Sequence, residues 1–250
     1  MAKKKNQNPD SITLNTPPGV LKWPKVTEPD YGTDKFPDND GSFNTKVTYD
    51  GSDPAVTKFT NRLDKLMDRA RELAEEKFAE LPVKARKQIE AKSGGIQPDL
   101  PYAPVYDEET EEETGEIEMR FKRKYSGEFK KGPKAGRKWY AKVGLFDSAK
   151  PPKPLKKGIE IWGGTTAIIN AEFFPYFVAG TGAYGITRRL NAVQVLELVS
   201  AGGERSASSY GFEGSDDGFD SSDIEADDDE GSDGPFDGGS DDDDDDEADF

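Results

Sequence analysis

Apolar and polar residues alternate along several stretches of the chain, as in half-buried β-strands. The first is Ser42–Asp50, where every second position is apolar or β-branched: Phe43, Thr45, Val47 and Tyr49. Four later stretches share this pattern: "EIEMRFKRKYSGEF", "RKWYAKVGLFDS", "TTAIINAEFFPYFV" and "ITRRLNAVQVLELV". The sequence therefore predicts five strands. The Gly-, Lys- and Pro-rich "KKGPKAG" joins the second and third strands as a long hairpin, and "AGTGAYG" is interpreted as a turn.

The stretch after Asp50 changes to a helical period. Asp53 stands at a favourable N-cap position, and Pro54 suits the first helical position. Apolar residues then recur at spacings of three and four: Phe59, Leu63, Leu66, Met67, Ala70, Leu73, Ala74 and Leu81. This spacing predicts a helix over 54–82 and a shorter basic helix that reaches Gly94–Gly95. A helix that packs on a core by one face explains the pattern, so we assign it no chemistry.

These elements predict a mainly β fold with one long helix. Five strands with basic hairpins are typical of an OB-fold, a five-stranded Greek-key barrel. Residues 1–42 are rich in Pro, Asp, Asn and Gly, which favours an irregular N-terminal arm. Residues 43–202 would form the barrel with its inserted helix. The Gly-, Ser- and Asp-rich residues 203–250 are predicted to be a disordered acidic tail.

Charge is distributed unevenly between the two ends of the chain. The net charge is −16, but Glu213–Phe250 holds 20 acidic residues and no Lys or Arg. This leaves 34 basic and 30 acidic residues in 1–212, a net charge of +4. A mildly basic body with an acidic appendage favours a nucleic-acid or other charged partner, together with an interaction tail.

The chain has no Cys and no His. Disulfides, thiol catalysis, imidazole or thiolate zinc sites and Ser-His pairs are therefore excluded. The aspartate runs lack the spacing of a calcium loop, so we expect neither a metal site nor another cofactor. The basic start has no apolar core behind it, and no apolar run is long enough to span a membrane. We therefore expect a soluble intracellular protein that makes no membrane contact.

The most basic window is Arg120–Lys142, with ten Lys or Arg and one Glu. In its first strand, alternation places Met119 and Phe121 on the inward side. The cations Arg120, Lys122 and Lys124 then lie on the outward side. On the returning strand, the face with Trp139 turns inward. Lys138, Tyr140 and Lys142 then lie beside the cations of the first strand. The candidate binding residues of this window are Arg120, Lys122, Lys124, Phe129, Lys130, Lys131, Arg137, Lys138, Tyr140 and Lys142.

An ordinary solvated strand face is the alternative interpretation of this window. Two paired strands and a Lys-rich loop that contains Phe129 favour binding of an extended polyanion instead. Lysines would neutralise phosphates, and exposed rings would stack on unpaired bases at ~1–3 kcal/mol each. Phe129 is a stacking candidate because loop tips rarely bury a Phe, whereas Trp139 is more typical of a core.

Four features of the chain resemble a known family. They are "MAKK" with "EPDYG" (Glu28–Gly32), the strand followed by a long helix, the block "IWGGTT…FFPYFV…LNAVQVLELV", and the acidic tail that ends in Phe250. Together they resemble the single-stranded-DNA-binding proteins of short-tailed lytic bacteriophages. The resemblance implies an OB-fold with a helix between its first two strands and a homodimer. It also implies a role in phage DNA replication, recombination and repair, in the cytoplasm of the bacterial host.

The same resemblance implies further contacts. Tyr176 in "FPYF" corresponds to an aromatic residue near the DNA groove. The tail would bind the phage DNA polymerase and the helicase-primase through its last residues: Asp241, Asp242, Asp243, Asp244, Asp245, Asp246, Glu247, Asp249 and Phe250. The acidic loop of residues 107–116 departs from the family pattern, which leaves open whether it borders the DNA groove.

We therefore expect a non-enzymatic protein that coats single-stranded DNA without sequence preference. Two alternatives remain: an acidic-tailed interaction or chaperone protein that shields basic partners, and a carboxylate-metal nuclease. A disordered tail of this length would reach about 35–40 Å, against a body radius of about 17 Å. The tail would thus compete with DNA for the basic surface, its carboxylates replacing phosphates and Phe250 replacing a base.

Overall fold

A computed structural model of the protein describes residues 10–199, which belong to one compact unit. The predicted acidic tail and the "MAKK" segment lie outside these residues. The elements in chain order are β1 (Ile12–Asn15), β2 (Gly19–Thr33), β3 (Phe36–Asp50), α1 (Pro54–Glu80), α2 (Val83–Ser93), β4 (Gln97–Asp99), β5 (Ala103–Tyr106), β6 (Glu113–Lys124), β7 (Ser126–Glu128), β8 (Lys138–Tyr140), β9 (Gly144–Phe146), β10 (Thr166–Phe177) and β11 (Ala183–Glu197). No helix within 10–199 is long and apolar enough to cross a membrane.

Five strands close into a barrel. β2 pairs with β3, β3 with β6, and β10 with both β2 and β11, all antiparallel. β6 and β11 run parallel and complete the ring. This strand order, with one parallel pair, is that of the OB-fold. The predicted mainly β fold and five-stranded barrel are confirmed.

The barrel interior is filled by the inward-facing residues of every strand. Leu21, Val47, Phe121, Ile169 and Leu190 are all fully buried. The ring of Phe121 packs edge-on to the ring of Phe173, with centroids 6.3 Å apart. Burial of alternate positions along the regular stretches of these strands fixes the register, because a shift by one residue would turn each apolar face outward.

Two helices connect β3 to β6, and the first packs on the barrel. Asp53 caps α1, where its Oδ1 accepts a hydrogen bond from the N–H of Ala55 at 2.7 Å, and Pro54 opens the helix. The apolar side of α1 joins the core, where Phe59 meets Phe173 with ring centroids 5.9 Å apart. α2 ends at Gly94, whose φ of 76° is the left-handed conformation that glycine favours. The predicted long helix and the short basic helix are both confirmed.

The prediction of an irregular arm over 1–42 is wrong for most of its described part. β1, β2 and the start of β3 lie in this region, and β2 is the first strand of the barrel. The helices therefore join the second and third barrel strands, not the first two. Alternation failed to reveal β2 because its register against β3 shifts three times between Lys22 and Gly32. After each shift, the residues that follow face the opposite side of the sheet. The sequence of β2 therefore does not show the period of two that marks a regular strand.

The segment "RKWYAKVGLFDS" does not form the predicted barrel strand. It contains two short strands, β8 and β9, that pair with β7 and β11 respectively. The predicted hairpin exists as the β7–β8 pair, a separate two-stranded sheet. β6 itself lies between β3 and β11. The cations of β6 and the residues of β8 therefore do not form one paired face.

Candidate nucleic-acid interface

The alternation predicted for β6 is confirmed. Met119 and Phe121 are buried, whereas Arg120, Lys122 and Lys124 are exposed on the outside of the barrel. β6 and its neighbour β3 are the third and second barrel strands. In OB-folds, the outer face of these two strands is a surface suited to an extended oligomer.

A row of three cations crosses β2, β3 and β6. Lys22 pairs with Lys46, and Lys46 pairs with Arg120. Their side chains share the outer side because the next row, which contains Leu21 and Val47, is buried. Like charges directly opposite each other destabilise a sheet, so this row favours an anion on the surface.

A second row extends across a fourth strand. Lys25 pairs with Asn44, Asn44 with Lys122, and Lys122 with Arg189 on β11. The guanidinium of Arg189 forms an ion pair with Glu172 and lies 5.3 Å from the centroid of the Phe174 ring. We use the term basic face for the cations of the two rows together with Lys124: Lys22, Lys25, Lys46, Arg120, Lys122, Lys124 and Arg189.

Four members of the basic face are absent from the sequence prediction. Lys22 and Lys25 lie in the segment that was interpreted as an arm, and their strand could not be recognised. Lys46 lies on the polar side of the predicted Ser42–Asp50 strand, so the alternation of that strand was sufficient to predict that it faces outward. Arg189 lies in a stretch correctly predicted as a strand, but only the barrel topology shows that it neighbours Lys122.

Besides Arg189, three of these cations are paired with partly exposed carboxylates. Lys46 forms an ion pair with Glu118 at 2.6 Å. On the β2–β3 side, Asp38 lies 3.3 Å from Lys122, and Asp40 lies 2.5 Å from Lys124. Surface ion pairs contribute only about 0–1 kcal/mol each. A phosphate can therefore replace these carboxylates at low cost.

The β7–β8 hairpin carries a second group of cations. Its loop is closed by a hydrogen bond from the N–H of Phe129 to the carbonyl of Arg137 at 3.0 Å. Phe129 is 39% exposed, and the ammonium of Lys134 lies 5.8 Å from its ring centroid. The other predicted residues are also exposed: Lys130, Lys131, Arg137, Lys138, Tyr140 and Lys142. They follow the end of β6 in the chain, and β8 pairs with β7 instead of with β6.

An aromatic cluster connects the hairpin to the barrel. The centroid of the Tyr125 ring lies 5.7 Å from that of Phe43, 6.4 Å from that of Tyr31 and 5.4 Å from that of Tyr140. Tyr140 is 62% exposed, so one face of this cluster is open to solvent beside Lys124 and the hairpin cations. Trp139 is half-buried with its ring against Gly127, as expected of a packing residue.

Tyr176 stands apart from the hairpin residues. It lies near the end of β10, separated from β6 by β11. Its hydroxyl donates a hydrogen bond to Asp99 of β4, and its ring lies against Gly185. Burial, together with this bond, raises the pKa of Tyr176 to about 12. The side chain thus holds β4 to the barrel, and the structure does not bring it into the cluster of predicted DNA contacts.

Arg123 is the one arginine of β6 that turns inward. Its guanidinium donates to the carbonyl of Leu190 at 3.1 Å and to Oδ1 of Asn191 at 2.9 Å. Burial, and then the charge of Arg189, lower the pKa of Arg123. It connects β6 to β11 and is not available to a ligand on the outer face.

The predicted acidic loop of residues 107–116 is a loop only over 107–112, which joins β5 to β6, because residues 113–116 already belong to β6. Asp107 accepts hydrogen bonds from the backbone N–H groups of Thr110 and Glu109, which lower its pKa. β5 pairs with the acidic first half of β6, between Glu113 and Glu118. The loop therefore lies at the opposite end of β6 from Lys124.

Comparisons with known proteins agree with this geometry. A sequence model of the family described as single-stranded DNA-binding protein, bacteriophage T7, matches residues 20–198. No curated protein matches the chain. The crystal structure of gp2.5, a single-stranded DNA binding protein encoded by bacteriophage T7, is 20% identical, with a TM-score of 0.53. The match covers 84% of this chain and 98% of that one.

Structures of the single-stranded DNA-binding protein from bacteriophage Enc34 match less closely. The complex with single-stranded DNA has 11% identity and a TM-score of 0.42, covering 81% of this chain and 100% of that one. The C-terminal truncation has 12% identity and the same TM-score, covering 75% and 87%.

The family match runs from the start of β2 to just beyond the end of β11, so it includes every barrel strand and the whole basic face. The family binds DNA and is not catalytic, which confirms the expectation of a non-enzymatic protein. The resemblance noted in the sequence is confirmed over residues 20–198, and "MAKK" and the acidic tail lie outside this match. The chain belongs to the single-stranded DNA-binding protein family of bacteriophage T7.

Proposed function

We propose that this protein coats single-stranded DNA without sequence preference, with the basic face as its phosphate-binding surface. The observation that carries the proposal is the row of Lys22, Lys46 and Arg120, three like charges directly opposite one another on neighbouring strands. Family membership supports the choice of single-stranded DNA as the anion.

In the proposed mechanism, the bound DNA makes two kinds of contact with the protein. Lysines and arginines of the basic face neutralise phosphates, releasing the counterions that surround the nucleic acid. The exposed ring of Tyr140 and, at the hairpin tip, Phe129 stack on bases. Stacking accepts any base because every base has a π face, which gives binding without sequence preference. The cations of the β7–β8 hairpin extend the surface beyond Lys124.

The acidic tail predicted from the sequence would regulate this surface. Its carboxylates match the basic face in charge, and Phe250 supplies a ring that can replace a base. A segment linked to the body competes at high effective concentration. DNA would displace the tail, which then becomes available to replication proteins with basic patches. The phage DNA polymerase and the helicase-primase are the proposed partners.

Membership of a bacteriophage DNA-binding family supports a proposal for the setting in which the protein acts. We propose that the protein acts in phage DNA replication, recombination and repair, in the cytoplasm of the infected bacterium. A homodimer would double the number of basic faces and tails on one strand of DNA.

A binding titration tests the proposal. Full-length protein is titrated with fluorescently labelled oligo-dT at two salt concentrations, followed by anisotropy. Affinity should fall steeply with salt, by a slope of about −0.7 per phosphate contact for a single strand. The same oligomer annealed to its complement should compete poorly. Equal affinity for the duplex, or binding independent of salt, would refute the proposal.

A further inference from the structure

Trp23 sits in a β-bulge of β2. Lys22 pairs with Lys46 and Lys25 pairs with Asn44, so Trp23 and Pro24 together oppose the single residue Thr45. Without the extra residue, the alternation that puts Lys22 outside would turn Trp23 toward the barrel interior. The bulge instead leaves Trp23 71% exposed and returns Lys25 to the outer side. Bulges are a known means of redirecting a side chain near functional sites.

The backbone at Trp23 is also strained. Its φ of 46° lies in the left-handed region, which bulky residues rarely adopt. Gly or Asn would adopt this conformation more easily. Core packing does not explain a tryptophan here, because most of its ring is in solvent. The ammonium of Lys46, a member of the basic face, lies 5.4 Å from its ring centroid.

A second exposed tryptophan lies in the same place. The segment around Gly164 runs along β2, where its N–H donates to the carbonyl of Leu21 at 2.9 Å. Trp162, which is 49% exposed, lines the same cleft as Trp23. The indole N–H of Trp162 donates to Glu160 at 3.1 Å, so its polar edge is already satisfied. Two of the three tryptophans in the chain line this cleft.

The cleft has room and charge for a nucleotide. Its volume is about 740 Å³, and we refer to it as the indole cleft. Lys25, Lys156 and Lys157 line it together with Glu28 and Glu160, so the lysines exceed the glutamates by one. Lys25 belongs both to the cleft and to the basic face, and the two surfaces are therefore continuous.

We propose that the indole cleft is a base-stacking subsite in which Trp23 and Trp162 hold unpaired nucleobases of the strand bound on the basic face. The inference rests on the proposed function, since it says where bases of the DNA bound on the basic face are held. Flat apolar rings beside lysines match the chemistry of a nucleotide, an aromatic base joined to a phosphate. The strained bulge at Trp23 keeps one ring in position before DNA arrives.

Variants of the full-length protein test this subsite. Trp23→Asn relieves the backbone strain, so its melting temperature should equal or exceed that of the wild type. Its affinity for oligo-dT should nevertheless fall roughly 5- to 150-fold, the range expected for loss of one stacked base at ~1–3 kcal/mol. Trp162→Ala should weaken binding by a similar factor. Trp139→Phe is the matched control, because Trp139 packs on Gly127 outside the cleft, and it should bind as the wild type does.

Intrinsic fluorescence provides a second measurement. Oligo-dT should quench the tryptophan emission of the wild type and of Trp139→Phe. The double variant Trp23→Phe/Trp162→Phe, in which Trp139 is the remaining indole, should lose most of that quenching. An oligomer of equal length with abasic sites keeps its phosphates but should quench the wild type much less.

The outcomes separate this inference from the proposed function. Failure of the wild type to bind oligo-dT would refute the proposed function itself. Wild-type binding, with Trp23→Asn and Trp162→Ala within twofold of it, would overturn the subsite and leave the basic face intact. Equal quenching by abasic and normal oligomers would also overturn the subsite.

Discussion

At the scale of single residues, the exposed ring of Tyr140 is the sharpest test of stacking near the hairpin. Tyr140→Ala should lower oligo-dT affinity roughly 5- to 150-fold, since one base would lose its stacking partner. Tyr140→Phe keeps the ring and should bind within twofold of the wild type. Anisotropy titrations at one salt concentration measure both. Equal loss in the two variants would show that the hydroxyl, and not the ring, makes the contact.

Residue exposure could be predicted on regular strands and could not be predicted at irregular ones. On β6 the alternation correctly separated buried Met119 and Phe121 from the exposed cations, because the strand has no bulge against β3. The exposure of Trp23 could not be predicted from the sequence, because it depends on an extra residue in β2. Tyr176 could not be assigned from its position in the sequence, since its partner Asp99 is 77 residues away.

At the scale of elements, we expect carboxylates of the β2–β3 hairpin to compete with DNA for the basic face. Asp38 and Asp40 pair with Lys122 and Lys124 at the centre of the proposed surface. Asp38→Asn/Asp40→Asn should therefore raise oligo-dT affinity several-fold at low salt, with a smaller gain at high salt where charges are screened. Titrations at two salt concentrations measure the effect.

The matched control for this change lies elsewhere on the molecule. Glu72→Gln/Glu75→Gln removes two exposed carboxylates from α1, where they pair with arginines of the same helix. It changes net charge by the same amount and should alter affinity less. An equal gain in both variants would mean that net charge alone, and not the two aspartates, controls binding.

The β7–β8 hairpin can be tested through its loop. Lys130→Ser/Lys131→Ser removes two exposed charges without touching the β7–β8 pairs. If both lysines contact phosphates, the slope of log affinity against log salt should decrease in magnitude by about 1.4. Titrations over a series of salt concentrations give the slope. An unchanged slope would remove the hairpin from the binding surface.

The sequence predicted these elements unequally. α1 was predictable because its cap, its opening proline and its apolar period are local signals. The predicted number of barrel strands was correct, but one of the five predicted strands was wrong. The sequence did not reveal β2, and the segment that contains β8 and β9 was predicted to be a barrel strand in its place. Prolines and register shifts hide the period of β2, and the pairing of distant strands that defines the barrel is not encoded locally.

At the scale of the whole molecule, the acidic tail is expected to oppose DNA binding. Deleting residues 213–250 removes 20 carboxylates and changes the net charge from −16 to +4. Affinity for oligo-dT should rise, most at low salt, because a tethered competitor for the basic face is lost. Phe250→Ala should give a smaller rise in the same titration. Unchanged or weaker binding by the truncated protein would contradict competition.

The most direct test of the central claim is the salt dependence of oligo-dT binding after charge reversal on the basic face. Lys122→Glu/Lys124→Glu reverses two exposed cations of β6, and Lys84→Glu/Lys87→Glu makes the same change on exposed positions of α2. Circular dichroism first checks that both variants are folded.

The β6 variant should lose at least about tenfold in affinity at low salt, and its salt slope should decrease in magnitude by about 1.4, two phosphate contacts at ~0.7 each. The α2 variant should keep a slope within error of the wild type. Equal slopes and equal affinities for the two variants would contradict the claim that the outer face of the barrel binds the DNA backbone.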